Sequence, residues 1–387
     1  MKLPFHYRLN KKINRLAMWV LSLVTVRSAD AQADLRQEPI GKILLVRATF
    51  RLGDSILATP AISLFRRNFP HARIDFVGPS VAKILFQNLP IDHHYQITRR
   101  FPDASWAYLC LIKQLRSVGY DLAVDVSCSK TAMGSFIVGF SGARLRVGLR
   151  GRRDRWLNIR LPRLPDRNKY RTLPALVAAL GLQSHEVFPS LALSPEEKSE
   201  GRRSIEAAVR QGDGPIVGVF VGGRIRLGRR WPAQCFLQLV AALQAQGARI
   251  AVFVGPEEKN LLGFFRRSLE RDVPVFYEPS PRIFAAMVSR CDLFVTSAGG
   301  PMHLACAVGV RPVIIFQMGE YRHWGPPPSL GRIVHQAGGV TVGEVLKVCL
   351  EELSDIPGAS RRGLSLEDGS LPLAARQPLQ EDAKKPT

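Results

Sequence analysis

Short, continuously apolar runs alternate with longer stretches of helical period along most of this chain. Lys42-Ile43-Leu44-Leu45-Val46 leads into the glycine turn Arg51-Leu52-Gly53-Asp54 and an amphipathic segment from Asp54 to Phe69 that Pro70 ends. Arg73–Val77 reads as the next strand, Ser80–Asn88 and Phe101–Val118 as helices, and Leu122–Val126 as a strand. A helix over Pro195–Gln211 opens a second series. Its predicted strands are Pro215–Phe220, Arg249–Val254, Pro274–Tyr277, Leu293–Val295 and Pro312–Phe316. Its predicted helices are Ala233–Gln246, Asn260–Leu269, Arg282–Ser289 and Met302–Val308. Strands that are apolar throughout belong to sheets covered on both faces. Their regular alternation with helices predicts parallel, doubly wound α/β domains. The pattern divides into an N-terminal segment 1–38, domains 39–205 and 206–355, and a tail 356–387 rich in Pro, Gly, Ser and charge that reads as disordered.

Charge changes this picture more than composition does. The 387 residues suffice for two cores, and 46% hydrophobic with 22% charged residues is ordinary for a soluble protein. Lys and Arg number 54 against 32 Asp and Glu, a formal net charge of +22, which favours an anionic partner. Nucleic acid is disfavoured, because the basic residues lack regular aromatic interleaving and no recognised binding motif is present. The densest run lies in Gly142–Arg171, including Arg144, Arg150 and Arg153, with Trp156 and Tyr170 interspersed. It reads either as a phosphate-gripping loop or as a solvated face. The six cysteines form no C-x-x-C pair and sit mostly in apolar runs, so they read as buried free thiols, and a metal site is not expected.

At the N-terminus, Lys2, Arg8, Lys11, Lys12 and Arg15 precede the apolar run Leu16–Val26. That run is short of the about 20 residues needed to cross a bilayer. Ser28-Ala29-Asp30-Ala31-Gln32-Ala33 has the look of a signal-peptidase site. Free thiols favour the cytoplasm, and with it an uncleaved helix lying in the membrane interface.

Three turns carry candidate chemistry. Asp54, at a helix start after a strand, is either a dipole-matched carboxylate or a general base for an acceptor hydroxyl. Gly299-Gly300-Pro301-Met302-His303 follows another strand with free backbone N–H groups and a proline suited to the first helical position, a seat for a diphosphate. The loop from Gly222 to Pro232, with Arg224, Arg226, Arg229 and Arg230, combines glycines for close approach with bidentate donors. Glu257, just past a strand, is placed to accept ribose hydroxyls or is a surface carboxylate at a helix start.

The order and spacing of several of these stretches resemble the heptosyltransferases, glycosyltransferase family nine. The resemblance spans residues 40–350. It rests on Ile43–Arg47, Leu52–Ala61, Arg66–Ala72, Tyr120–Leu122, Ser141–Arg144, Arg229–Pro232 and Gly300–Ala305. It implies a GT-B architecture, two Rossmann-like doubly wound domains facing across a cleft. It also implies inverting transfer of a sugar, typically heptose from ADP-heptose, to a lipopolysaccharide core, without metal or resident cofactor. Asp54 matches the base. Arg229 stands where the family usually has lysine, Glu257 matches the ribose contact, and Gly299, Gly300, Pro301, Met302 and His303 match the donor loop. Arg51, Arg144, Arg150 and Arg153 are the candidate acceptor contacts. The implied partners are a nucleotide sugar, an anionic glycolipid and the cytoplasmic membrane surface, to which the protein would be peripheral. The family loop usually reads Asn-Asp-Ser-Gly-Pro-Met-His, and here Ala298 replaces the acidic residue. That change keeps a rival in play: a non-catalytic GT-B-fold binding protein at an anionic membrane surface.

Overall fold

The computed structural model describes residues 29–355 except 32, 99–102, 129–131, 152–153, 163, 165, 210 and 224–229. The apolar run Leu16–Val26 and the tail 356–387 lie outside the described residues. The chain forms two compact units. One holds the described residues up to Pro195 with Cys306–Gly309 and Arg322–Pro327, and the other holds Glu196–Ala305, Val310–Tyr321 and the described residues from Pro328 on.

The first unit is built on six strands, β1 (Lys42–Val46), β2 (Arg73–Pro79), β3 (His93–Ile97), β4 (Leu122–Asp125), β5 (Leu145–Leu149) and β6 (Ile159–Leu161), in the order β3-β2-β1-β4-β5-β6. All pairs are parallel, with Leu45 of β1 opposite Phe76 on one side and Val124 on the other. The chain winds outward from β1 to β3, then returns to the far side of β1 at β4. Loops after β1 and β4 therefore diverge, and this switch point is where open α/β sheets bind ligands. The helices are α1 (Leu52–Ile56), α2 (Thr59–Asn68), α3 (Ser80–Leu85), α4 (Asp103–Val118), α5 (Ala132–Phe140) and α6 (Thr172–Ala179).

The second unit repeats the plan. Its strands are β7 (Ile216–Phe220), β8 (Arg249–Val254), β9 (Val275–Tyr277), β10 (Leu293–Ser297), β11 (Pro312–Ile315) and β12 (Arg332–Val334), in the parallel order β12-β11-β10-β7-β8-β9. The switch point lies between β7 and β10. Its helices are α7 (Pro195–Ala208), α8 (Ala233–Ala245), α9 (Leu262–Ser268), α10 (Pro281–Val288), α11 (Gly300–Ala307, its last two residues in the first unit) and α13 (Val342–Ser354), while α12 (Tyr321–Trp324) belongs to the first unit from Arg322 on. Val217, Val219, Val295 and Val313 from the sheet bury against Phe236 and Val240 of α8, Phe265 of α9 and Val345, Cys349 and Leu353 of α13. A capping box starts α13: Glu344 N–H donates to Thr341 Oγ1, and Thr341 N–H donates to Glu344 Oε2.

Three predicted elements are corrected. The helix expected over Asp54–Phe69 is two helices, α1 and α2. Pro60 has no N–H to give to the Ile56 carbonyl, which instead accepts the Thr59 hydroxyl at 2.9 Å. The break leaves Asp54 in a single turn of its own. The basic stretch within Gly142–Arg171 is partly sheet, because Leu145 and Val147 bury beside β4 and carry the arginines between them into β5. The helix expected over Asn260–Leu269 is preceded by a 3-10 turn, Pro256–Leu261, and continues as α9. Strand β3 carries no apolar alternation, so pattern alone passes over it.

A close approach fixes the switch point of the first unit. Gly134 of α5 lies against Asp125, so a Cβ there would sit 2.3 Å from the Asp125 carboxylate. Gly343, near the start of α13, has nothing within 4 Å of such a Cβ. Gly134→Ala is expected to lose about 1–3 kcal/mol by overpacking. Gly343→Ala is expected to gain about 0.5 kcal/mol from a stiffer unfolded chain. Urea unfolding followed by circular dichroism separates the two, and equal midpoints in both variants would contradict the packing described.

Candidate active site

Asp54 is buried in the first turn after β1, in a helix whose residues Gly53–Ile56 are all buried. Its partner is Arg47, the residue that directly follows β1. Arg47 Nη2 lies 3.4 Å from Asp54 Oδ1, with side chains 5% and 11% exposed. The same guanidinium donates from Nη1 to the Val126 carbonyl at 3.2 Å and from Nε to Thr49 Oγ1 at 3.3 Å. It thereby ties the loop after β1 to the loop after β4. That second loop is shaped locally: Asp125 Oδ1 accepts the Ser127 N–H at 3.0 Å, and Cys128 adopts a left-handed φ of 47°.

The Cys128 carbonyl accepts from Lys169 Nζ at 3.3 Å, and the ammonium stands 5.9 Å from the centroid of the Trp324 ring. Burial draws the Lys169 pKa below its ordinary value; Cys128 and Asp54 oppose the shift, and Arg47 reinforces it. Arg47, Asp54 and Lys169 therefore share one electrostatic neighbourhood, and the buried carboxylate of Asp125 acts with Arg47 and Lys169 on Cys128 beside them. Lys169 has three N–H donors, of which the Cys128 carbonyl takes one. Sequence pattern singles out Asp54 alone. The available signal for Arg47 is a charged residue at the very end of an apolar strand, and Lys169 is submerged in a basic run.

The arginines proposed for the acceptor separate. Arg51 is exposed at the N-cap of α1, and Arg150 is exposed at the end of β5. Arg144 pairs with Glu38 at 2.6 Å. Arg153 lies outside the described residues. Nearby, Arg146 is spent on structure, donating to the Trp156 carbonyl at 3.0 Å and to the Ala143 carbonyl at 2.7 Å, and Arg160 pairs with Asp30.

At the switch point of the second unit, the loop after β7 meets the end of β10. Trp231 N–H donates to Ser297 Oγ at 3.2 Å and its indole Nε1–H to the Val340 carbonyl at 2.8 Å, anchoring one end of the loop. The other end is held by a carboxylate. Glu258 Oε1 accepts the Gly223 N–H at 3.1 Å and lies 3.5 Å from Arg230 Nη2, while Arg230 Nε donates to the Gly223 carbonyl at 3.3 Å. Glycines make room for it. A Cβ on Gly222 would lie 2.8 Å from the Glu258 carboxyl carbon, and one on Gly255 2.7 Å from Oε2. Glu257, the residue singled out from sequence, is exposed in the first turn of the 3-10 segment. Arg229 lies outside the described residues. Gly299, Gly300 and Pro301 are half-buried at the start of α11, Met302 and His303 are buried beneath them, and Ala298 N–H is spent on the Ile315 carbonyl at 3.0 Å.

Glu258→Ala removes the partner of a buried guanidinium and of a backbone N–H. The expected loss is near the low end of about 3–5 kcal/mol, because Arg230 retains some contact with water. Glu257→Ala, at an exposed position, is expected to stay within about 0.5 kcal/mol of wild type. Thermal unfolding of the two variants side by side is the check, and a reversed order would refute the clip.

The profile of glycosyltransferase family 9 (heptosyltransferase) matches residues 108–339. A lipopolysaccharide heptosyltransferase 3 of Escherichia coli is 24% identical over 287 residues, covering 71% of this chain and 83% of that protein. The crystal structure of a family 9 glycosyltransferase from Veillonella parvula superimposes with a TM-score of 0.69 at 18% identity, over 86% of this chain and 92% of that one. An Escherichia coli heptosyltransferase with ADP gives 0.65 at 16% identity, over 80% and 99%. These structural likenesses establish an α/β fold of the GT-B class with two Rossmann-like domains. With the profile spanning more than half of the sequence, from α4 past β12, the chain belongs to glycosyltransferase family 9, the heptosyltransferases.

Proposed function

We propose that the protein is an inverting heptosyltransferase that moves heptose from ADP-heptose to a hydroxyl of an anionic lipopolysaccharide-core acceptor, with Asp54 as general base. The observation that carries this reading is the Arg47–Asp54 pair at the switch point of the first unit in a family 9 chain. Asp54 takes the proton of the acceptor hydroxyl. The oxygen then attacks the anomeric carbon from the face opposite the diphosphate, the bond to the diphosphate oxygen breaks, and ADP departs with the developing negative charge. Arg229, the glycine loop closed by Glu258, and the N–H groups of the Gly299-Gly300 turn neutralise that charge. Arg47 is a positioning residue that keeps Asp54 turned to the substrate. Lys169, with Arg51 and Arg150, binds an anionic group of the acceptor. The resemblance implies no metal and no resident cofactor, the nucleotide sugar being a co-substrate. A lipid-linked acceptor puts the reaction at the cytoplasmic face of the membrane; no helix among the described residues is long and apolar enough to cross one.

One observation favours a second reading, a binding protein without turnover. Ala298 is buried and carries no carboxylate at the strand end where the family has one. Asp54→Ala and Asp54→Asn decide between the two. For the transferase, turnover is expected to fall at least about 100-fold, while ADP-heptose affinity by isothermal titration stays within a few-fold of wild type. Unchanged turnover in both variants would remove Asp54 from the step. Donor binding by wild type with no product on any core acceptor would establish the second reading.

A further inference from the structure

Helix α4 is apolar on two faces. Tyr108, Leu111, Ile112, Leu115 and Val118, at helical spacing, pack into the core of the first unit. The opposite face of such a helix is ordinarily polar. Here its N-terminal half presents Trp106 at 71% and Leu109 at 61% exposure, with the free thiol of Cys110 also exposed. One and two turns farther along, Lys113 and Arg116 are exposed. The Arg116 stem lies over Gly142, 3.1 Å from where a Cβ would stand, which brings it beside the turn into Arg144.

From Trp106 to the end of the helix this face has no carboxylate. Asp103 opens the helix, and no Asp or Glu follows until Asp121. Asp121 is spent on the N–H groups of Gly41 and Lys42 at 2.9 Å each, and Glu38 is paired with Arg144. An indole beside a leucine, followed along the helix by cations and no carboxylate, matches the interface of an anionic bilayer. Indole prefers the headgroup level, and nearby Lys and Arg gain from negative lipid. A specific protein interface buries about 800 Å² per partner and needs a matched polar rim. Two protruding side chains with one sign of charge offer neither, and a fluid bilayer requires neither.

We propose that this face of α4 docks on an anionic membrane, with Trp106 and Leu109 entering the interface and Lys113 and Arg116 meeting lipid phosphates. None of these four residues is among the groups around Asp54.

The test uses the full chain and vesicles of phosphatidylcholine with and without phosphatidylglycerol. Wild type is expected to sediment with the phosphatidylglycerol vesicles. Brominated phosphatidylcholine in those vesicles is expected to quench part of the fluorescence of the five tryptophans. Trp106→Phe should reduce that quenching while the protein stays bound, leaving the share owed to Trp19 in the apolar run Leu16–Val26; binding through any other segment would leave the quenching equal in the two proteins. Trp106→Ser with Leu109→Ser should weaken binding by about tenfold or more. Lys113→Glu with Arg116→Glu should weaken it only on the vesicles that contain phosphatidylglycerol. Circular dichroism establishes that each variant is folded. Transfer to a lipid-free acceptor fragment should be unchanged, so failure here and failure of the Asp54 mechanism are told apart. Equal quenching in wild type and Trp106→Phe, or unchanged binding in the charge-reversed variant, overturns the proposal. So does a dimer, seen by light scattering, that depends on Trp106.

Discussion

One guanidinium organises the first unit. Arg47 follows the central strand, and its three contacts reach the carboxylate of Asp54, the carbonyl of Val126 and the hydroxyl of Thr49. All of this takes place almost out of water, where desolvation offsets much of the Coulombic gain of an ion pair. Its value is therefore in geometry more than in stability. Two loops that diverge at the switch point are held at one spacing, and a carboxylate is kept in one orientation. The surrounding details serve that spacing: the glycine that lets α5 lie on Asp125, the left-handed Cys128, and the proline that cuts α1 to a single turn.

The second unit uses the same topology with the charges reversed. Its buried carboxylate, Glu258, faces inward to backbone and to Arg230, and supports a loop rich in glycine and arginine rather than a reacting group. A sheet of the same order thus presents a carboxylate beside cations in one unit and, in the other, a loop braced at both described ends by Glu258 and Trp231. In the proposed reaction the first would accept a proton and the second would face the diphosphate.

The large positive charge is less available than its sum implies. Arg146 and Arg160 brace β5 and β6, Arg282 is bound by Glu197, and Arg311 and Arg332 share Glu352. Arginine is used here as a five-donor strut that satisfies carbonyls and carboxylates between elements. Among the described cations not spent on these struts are Lys169 at the switch point and exposed Arg51, Arg150, Lys113 and Arg116.

Strand and helix alternation, the two glycine turns and Asp54 were all legible along the chain, because each depends on residues within a few positions of one another. Local spacing decides whether a run is apolar enough for a parallel sheet and whether a turn can precede a helix. Neighbours distant in sequence decided the rest. Arg47 matters because β4, nearly 80 residues away, brings a carbonyl to it. The inward position of Glu258 and the outward one of Glu257 depend on Gly222 and Gly255 leaving space in two different loops. Strand β3, with two histidines and no alternation, exists because β2 offers it an open edge to pair with. Burial, pairing and which charges are spent on internal support are properties of the folded contacts, and only the tertiary structure supplies those.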